Sequence, residues 1–168
     1  MTVTNAETPR PLPRYPEELV ASTLFLLKRL GFIAKEQAID AYESTGLGPY
    51  HHAVLIALGE NSHETQGAVA DALGYDRGQM VGLLDELEEH GLVQRHRDPS
   101  DRRRHIVKLT PEGKKMLGRL RAVAQQIEDE FLTPLDEQER RQLHALLLQL
   151  AEYHLPRRDP VVLPPAKH

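Results

Sequence analysis

Apolar residues recur every three or four positions along most of the chain, which is the spacing of amphipathic α-helices. The first stripe starts at Tyr15 and continues to Ala41. It predicts one long helix that ends before Gly46 or Gly48, because glycine commonly follows the last turn of a helix. A second stripe, over residues 49–59, predicts another helix that begins with a proline, a favoured residue at the first helical position.

Two shorter helices joined by a tight turn are predicted next. Thr65 and Asp76 each precede an apolar stripe, and both are residue types that cap helix N-termini. Gly74 lies in the turn, and Gly91 follows the second helix. Helices of roughly nine and fifteen residues, joined by a three-residue turn with glycine, are typical of a helix-turn-helix.

After this pair the periodicity changes. Residues 92–96 (LVQRH) and 105–110 (HIVKLT) alternate apolar and polar positions on either side of the turn-rich DPSDRR. They predict an antiparallel hairpin with a charged tip. A threonine–proline pair at 110–111 then begins a long helix, and leucines over 143–150 predict a last one.

The charge of the chain is concentrated in that hairpin. There are 21 Lys and Arg residues against 25 Asp and Glu residues, a net charge of −4. Residues 95–104 (RHRDPSDRRR) hold five Arg and two Asp, a local +3, so the other 158 residues carry −7. A basic hairpin on an acidic body indicates a directed contact with a polyanion such as nucleic acid.

Composition excludes several functions. Without cysteine there is no disulfide, thiolate metal site, cysteine nucleophile or thiol redox sensor. No nucleophile elbow, P-loop or dinucleotide-binding glycine pattern is present, so we expect no enzyme. No signal peptide and no apolar run of membrane-spanning length occur, so we expect a cytoplasmic protein without a membrane partner. The nine histidines include no HExxH and no pair four residues apart, and whether a metal such as zinc binds stays open.

The stretch LGYDRGQMVGLLDELEEHGLVQRHRDPSDRRRHIVKLTPEGKKML resembles the winged helix-turn-helix core of the MarR (multiple antibiotic resistance regulator) family. The segments DELEEHGLV, DPSDRR and LTPEG carry the resemblance in order and spacing, and the close match covers about residues 62–118. It implies a transcriptional regulator, most simply a repressor, that binds a pseudo-palindromic operator on double-stranded DNA as a homodimer. The helix over 76–90 would then enter the major groove, and the hairpin, or wing, would reach the minor groove.

The expected fold is mainly α: a winged helix-turn-helix with flanking dimerisation helices and a small two- or three-stranded β-wing. We expect a homodimer because one small subunit cannot cover the apolar stripes of all the end helices. The expected segments are a flexible arm at 1–14, an N-terminal dimerisation helix at 15–47, the DNA-binding domain at 48–110, C-terminal dimerisation helices at 111–155 and a Pro-rich tail at 156–168.

The resemblance also implies roles in the wing. The family's Asp-x-Arg pattern is matched by Asp101, Arg102 and Arg103, so Arg103 would enter the minor groove and Asp101 would hold the wing's conformation. Arginine suits a narrow minor groove, because its guanidinium is more weakly hydrated than an ammonium. Arg102 and the wing arginines at 95, 97 and 104 are expected to contact phosphates. The alternative is a solvated turn without a ligand.

On the helix-turn-helix, Arg77 and Gln79 are expected to read bases, and Thr65 and Gln66 to bind phosphates. Arg77 could instead form a surface ion pair with Asp76 or Glu64, and Gln79 could be uninvolved. The full set of candidate DNA-binding residues is Thr65, Gln66, Asp76, Arg77, Gln79, Arg95, Arg97, Asp101, Arg102, Arg103 and Arg104.

A second site is implied by the family's response to small aromatic acids or phenols, which bind between the helical lobe and the DNA-binding domain. The candidate polar residues are Tyr42, Tyr50, His51 and His52. The competing interpretation is that these histidines face solvent or cap neighbouring groups. No cofactor is required by the sequence. The alternative functions are a zinc-responsive regulator, a winged-helix module that binds protein, and an architectural DNA binder without sequence preference.

Overall fold

The structure is a computed structural model that describes residues 15–60 and 65–155. The helices are α1 (Glu17–Val20), α2 (Thr23–Glu43), α3 (Pro49–Glu60), α4 (Gln66–Leu73), α5 (Arg77–Glu89), α6 (Pro111–Phe131) and α7 (Glu137–His154), and the strands are β1 (Val93–Arg97) and β2 (His105–Leu109). This is the mainly α fold with a small β-wing predicted from the sequence. The expected arm at 1–14 and tail at 156–168 lie outside the described residues.

The single long N-terminal helix predicted from the apolar stripe is wrong. Helix α1 ends at Val20, and α2 begins at Thr23. Ser22 lies at the break, where its hydroxyl oxygen accepts a hydrogen bond from the backbone N–H of Phe25 at 3.3 Å. A serine that bonds the backbone in this way favours a new helix start over continuation of the old one. The apolar spacing continues across the break and therefore does not reveal it.

The helix-turn-helix begins and ends at the predicted caps. The Thr65 hydroxyl accepts from the backbone N–H of Ala68 at 3.2 Å, and the Asp76 carboxylate accepts from the backbone N–H groups of Gly78 and Gln79 in the first turn of α5. Gly74 ends α4 with φ of 64°, and Gly91 follows α5 with φ of 68°. Both angles lie in the left-handed region that glycine adopts without steric cost. These local bonds orient α5 against α4.

The wing is a two-stranded antiparallel sheet in which Val93 lies opposite Leu109 and Arg97 lies opposite His105. An isolated antiparallel β-bridge pairs Thr65 with Ile106 of β2, at the place where a third strand of the wing would lie. The hairpin tip closes through a backbone hydrogen bond from Asp98 N–H to the Arg104 carbonyl oxygen, 3.0 Å long. The bridge at Thr65 brings the start of α4 beside the wing.

The core of residues 37–155 packs α3, α4, α5, α6 and the wing around aliphatic side chains. Its largest fully buried side chains are those of Val54, Leu55, Leu58, Val69, Met80, Leu84, Leu87, Val93, Val107 and Leu120. Burial of each such side chain contributes about 1.5–3 kcal/mol relative to exposure. Because α5 and β1 both contribute side chains to this core, the core fixes the position of the wing relative to the second helix of the helix-turn-helix.

The end helices expose apolar side chains. Helix α7 exposes a group that includes Leu146, Leu147, Leu150 and Tyr153. In residues 15–36, described separately because the chain divides into two compact units at residue 36, the exposed apolar residues include Leu24, Leu27, Leu30 and Phe32. No helix in the described parts of the chain is long and apolar enough to cross a lipid bilayer.

Candidate nucleic-acid interface

The start of α4, the start of α5 and the wing enclose a groove of about 490 Å³. Its lining consists of Thr65, Gln66, Gly67, Ala68, Asp71, Arg77, Arg103, Arg104 and His105. The structure thus brings together five of the candidate residues from two separate segments of the sequence. We call this surface the basic groove.

Three guanidinium groups give the basic groove its positive charge. Arg77 lies 3.7 Å from Asp71, and Arg104 lies 3.4 Å from Asp101. Both pairs are largely exposed, so water screens them and they are weak. Arg77 therefore does not pair with Asp76, and Glu64, the other alternative partner, lies outside the described residues. Arg103 forms no side-chain ion pair with any described residue. These cations are available to an anionic ligand, beside the N-terminus of α4, which also favours negative charge.

Two aspartates shape the tip of the wing. Asp98 accepts hydrogen bonds from the backbone N–H of Ser100 at 2.8 Å and from its hydroxyl at 2.6 Å. These bonds lower the pKa of Asp98 from its usual value. Asp101 accepts from the backbone N–H of Arg103 at 3.1 Å. An aspartate that bonds the backbone two residues ahead stabilises a turn, so both carboxylates hold the tip in shape.

Arg95 does not join the exposed cations. Its guanidinium lies 2.6 Å from Asp85 and 2.6 Å from Glu88, and its backbone N–H donates to the same glutamate at 3.1 Å. The side chain is only 22 % exposed, and the hydrogen bonds from Arg95 lower the pKa of Glu88. The expected phosphate contact is therefore not supported by the geometry. Arg95 instead links β1 to α5.

The remaining candidates lie around the basic groove. Arg97 and Arg102 are exposed on the wing, and Gln79 is half-buried in the first turn of α5. Sequence reasoning missed His105, which lines the basic groove because β2 begins there. One signal in the sequence could have identified His105. It follows directly after the arginines of the tip and is a polar position in a strand that alternates polar and apolar residues.

Comparison with known proteins identifies the family. A sequence model described as MarR family matches residues 45–104. A protein named as the transcriptional regulatory protein for the hcr operon of Thauera aromatica is 31 % identical over 129 residues, covering 72 % of this chain and 78 % of that protein. The chain belongs to the MarR family of transcriptional regulators. The regulator HosA of Escherichia coli O111:H- is 32 % identical over 98 residues, covering 58 % of this chain and 73 % of that protein.

Solved structures of MarR-family proteins share the fold. CouR, a transcriptional repressor bound to a 23-mer DNA duplex, is 34 % identical with a TM-score of 0.74, covering 80 % of this chain and 95 % of that one. CouR from Rhodococcus jostii RHA1, bound to p-coumaroyl-CoA, is 29 % identical with a TM-score of 0.68, covering 79 % of this chain and 94 % of that one. DNA binding by a winged helix-turn-helix is thus the activity of this MarR-family chain.

The four residues expected at an effector site fall into separate groups in this MarR-family chain. The Tyr42 hydroxyl and the Nδ1 atom of His52 are hydrogen-bonded at 2.6 Å, and both residues are buried. The other ring nitrogen of His52, Nε2, is buried without a hydrogen-bond partner among the described residues. Burial lowers the pKa of His52, and the positive charge of Arg121 lowers it further.

His51 and Tyr50 face other neighbours. The backbone N–H of Gly48 donates to Nδ1 of His51 at 3.0 Å, and Nε2 lies 2.8 Å from a carboxylate oxygen of Glu86 on α5. The Tyr50 ring packs edge-on against Tyr75 with centroids 6.0 Å apart. The interpretation of the histidines as solvent-facing is wrong for His52, which is 6 % exposed, whereas His51 does cap a neighbouring group.

Histidine and carboxylate side chains do not form a metal cluster in the described chain. Over residues 15–60 and 65–155, no group of three or more such residues is placed so that it could hold a metal ion.

Proposed function

We propose that this MarR-family chain is a transcriptional repressor that binds a pseudo-palindromic operator as a homodimer and is modulated by a small aromatic or phenolic effector. The proposal includes no catalytic step, in keeping with relatives that are named as regulators. It places the chain in the cytoplasm, where a bacterial regulator meets DNA.

The observation that carries the proposal is the basic groove between the helix-turn-helix and the wing. With α5 in the major groove, Arg77 and Gln79 contact base edges, and the start of α4 contacts phosphate. Arg103 enters the minor groove, where the negative potential is concentrated. The proposed DNA-contacting residues are Thr65, Gln66, Arg77, Gln79, Arg97, Arg102, Arg103 and Arg104, with Asp76 and Asp101 holding the local backbone. The structure of CouR bound to a 23-mer DNA duplex supports DNA binding by this fold.

Exposed apolar side chains support the homodimer. Leu146, Leu147 and Leu150 of α7 are each at least 40 % exposed. A second copy of the chain that covers them removes apolar area from water, at about 25 cal/mol per Å². If the two copies of α5 enter successive major grooves, they lie about 34 Å apart, one turn of the DNA helix, and the operator mirrors the two-fold symmetry of the dimer.

The buried pair of Tyr42 and His52 supports the effector proposal. The Nε2 atom of His52 lacks a hydrogen-bond partner among the described residues, and a buried polar atom without a partner costs about 1–3 kcal/mol. An effector that bonds this atom recovers that cost. The complex of CouR with p-coumaroyl-CoA, whose acyl group carries a phenol ring, supports an effector with a phenolic group.

The test is binding of labelled DNA from upstream of the protein's own gene, and of duplexes selected from a random pool, followed by fluorescence anisotropy across a salt series. Gly67→Glu places a carboxylate in the basic groove at a helical position with no atom within 4 Å of the new Cβ. Gly118→Glu on α6 is the matched control, because its Cβ is equally unobstructed and it lies outside the basic groove.

We expect salt-dependent, sequence-specific binding by the wild type and by Gly118→Glu, since arginine–phosphate contacts release counterions. Gly67→Glu should lose at least about tenfold in affinity through repulsion between its carboxylate and phosphate. Equal affinity of the two variants would remove the basic groove from the interface. Failure of the wild type to bind any duplex, with and without added zinc, would favour the protein-interaction module.

A further inference from the structure

A second cleft opens where the end of α3, strand β2 and the first half of α6 meet. Its volume is about 410 Å³, and it shares no lining residue with the basic groove. Leu58, Leu109 and Leu117 form its apolar floor. A Cβ at Gly59 would lie 2.8 Å from a methyl carbon of Leu117, so the absence of a side chain there lets α3 and α6 approach closely. The leucines of the floor are therefore packed together in the ligand-free chain.

Three cations form the rim of this cleft: Lys108 on β2, and Lys114 and Arg121 on α6. None of them forms an ion pair with a carboxylate in the parts of the chain that the structure describes. The neighbouring Lys115, by contrast, lies 2.7 Å from Glu112. In a protein of net charge −4, three converging cations without acidic partners produce a local positive potential that favours an anionic ligand.

We propose that this cleft binds a small amphiphilic anion, namely a phosphorylated molecule with an apolar ring or chain. The apolar part covers the leucine floor, and the phosphate contacts the rim. A doubly charged head group matches three cations better than a single carboxylate does, because each cation adds a charge-assisted hydrogen bond. The cleft volume lies within the range of about 300–1,000 Å³ that is usual for small-molecule sites, which favours a soluble ligand over a membrane surface.

The position of the cleft gives the ligand an effect on the wing. Strand β2 supplies both Lys108 and Leu109, and the same strand begins at His105 in the basic groove. A ligand held between α3, β2 and α6 restrains the strand that leads to the tip. A change in operator affinity on ligand binding therefore rests on the proposed function, whereas binding itself does not.

Isothermal titration calorimetry of the full chain, without DNA, tests the proposal with three probes. Octyl phosphate combines an apolar chain with a phosphate, octan-1-ol lacks the charge, and inorganic phosphate lacks the chain. We expect octyl phosphate to bind at least about tenfold more tightly than either control, because only it uses both the floor and the rim. Binding of octyl phosphate no tighter than that of inorganic phosphate would overturn the proposal.

Two adjacent charge reversals locate the site. Lys114→Glu changes the rim, whereas Lys115→Glu makes the same change in charge one residue away, at a side chain that already pairs with Glu112. We expect Lys114→Glu to lose about tenfold in octyl phosphate affinity and Lys115→Glu to retain it. Equal losses in the two variants would overturn the assignment to this cleft.

Two further results separate the competing outcomes. Sedimentation of the chain with phosphatidic acid vesicles, together with no calorimetric binding of octyl phosphate, would replace the small-molecule site by a membrane contact and overturn the proposal. Intact octyl phosphate binding in a wild-type chain that binds no DNA would support the cleft and overturn only the proposed repressor function.

Discussion

Neighbouring histidines on α3 are held neutral by different surroundings. His51 accepts the Gly48 N–H at Nδ1, so its single ring proton lies on Nε2 and points at Glu86. A second proton on Nδ1 would break the bond from Gly48. His52 bonds Tyr42 and lies in the field of Arg121. Burial is the main cause of the lowered pKa of both residues.

These lowered pKa values predict a loss of stability in mild acid. A histidine whose pKa is lower in the folded state binds more protons in the unfolded state. It therefore leaves the free energy of unfolding unchanged above about pH 6.5 and lowers it increasingly as the pH falls below that value. The acidic residues with lowered pKa, Glu88 and Asp98, lose their contribution only below about pH 4.5. We expect the Tm to fall between about pH 7.5 and 5.5.

The variant His52→Gln tests the source of that fall, because glutamine retains an acceptor for the Tyr42 hydroxyl but does not titrate. Its Tm should decrease less across the same interval than that of the wild type. His144→Gln, at an exposed position on α7, serves as the control and should keep the full decrease. If the Tm of His52→Gln falls as much as that of the wild type across this interval, His52 does not contribute to the loss of stability.

Arg103 is the residue on which the proposed minor-groove contact depends. Arg103→Ala should weaken operator binding by about 1–3 kcal/mol per subunit, measured by anisotropy at fixed salt. Arg119→Ala removes an exposed arginine from α6, outside the basic groove, and should leave the affinity within about twofold of wild type. If the Arg103 variant binds as tightly as the wild type, the minor-groove role is lost.

At the scale of secondary-structure elements, the link between α5 and β1 fixes the wing. Arg95 contacts Asp85 and Glu88, which lie one helical turn apart on α5. The two acids are 49 % and 38 % exposed, so solvent reduces the strength of the interaction. The arginine itself is mostly covered, and its removal leaves two neighbouring carboxylates that repel each other.

Arg95→Met should therefore lower the free energy of unfolding by about 1–2 kcal/mol, because solvent exposure of the two acids reduces the range of about 1.5–3 kcal/mol that is usual for hydrogen bonds to charged groups. Urea denaturation at neutral pH measures this change. Arg97→Met on the same strand removes an exposed arginine and should alter the unfolding free energy by less than about 0.5 kcal/mol. Similar values for the two variants would mean that the link contributes no stability.

Elements that end at local caps were predictable from the sequence, and contacts between distant segments were not. Thr65, Asp76 and Thr110 each bond a backbone N–H two or three residues ahead, so the residue type alone indicates the helix start. The pairing of His51 with Glu86 spans 35 residues, and no local pattern encodes it. Arg95 was misjudged for the same reason, since its acidic partners lie on another element.

At the scale of the whole molecule, charge and apolar surface are separated. Residues 95–104 of the wing carry a local charge of +3 in a chain of net charge −4, while α7 presents leucines to solvent. The acidic remainder of the chain disfavours non-specific contact with nucleic acid. The proposed DNA contact and the proposed dimer contact therefore lie on different elements.

Leu147→Glu tests the assembly surface. The leucine is 40 % exposed, and a charge at that position would have to lose its hydration in a dimer. We expect the dissociation constant of the dimer to rise at least about tenfold, because two copies of the change meet one interface. Sedimentation velocity across a concentration series measures it. The control is Gln149→Glu, at an exposed polar position on the same helix, which should leave the dimer intact. If the Leu147→Glu dimer is equally intact, α7 is not part of the interface.

The junction at Thr110 has a mechanical consequence. Its hydroxyl donates to the Gly91 carbonyl oxygen and accepts from the Gly113 N–H, and its own N–H donates to the Leu92 carbonyl oxygen. A side chain at Gly113 would collide with the Leu92 carbonyl group, so the start of α6 is closely packed against the residues that follow α5. Helix α6 has 21 residues and is therefore roughly 32 Å long. A tilt of about 5° about its first residue displaces its far end by about 3 Å. A displacement at that end acts on the Thr110 bonds to Gly91 and Leu92, two of the residues that lead from α5 into β1.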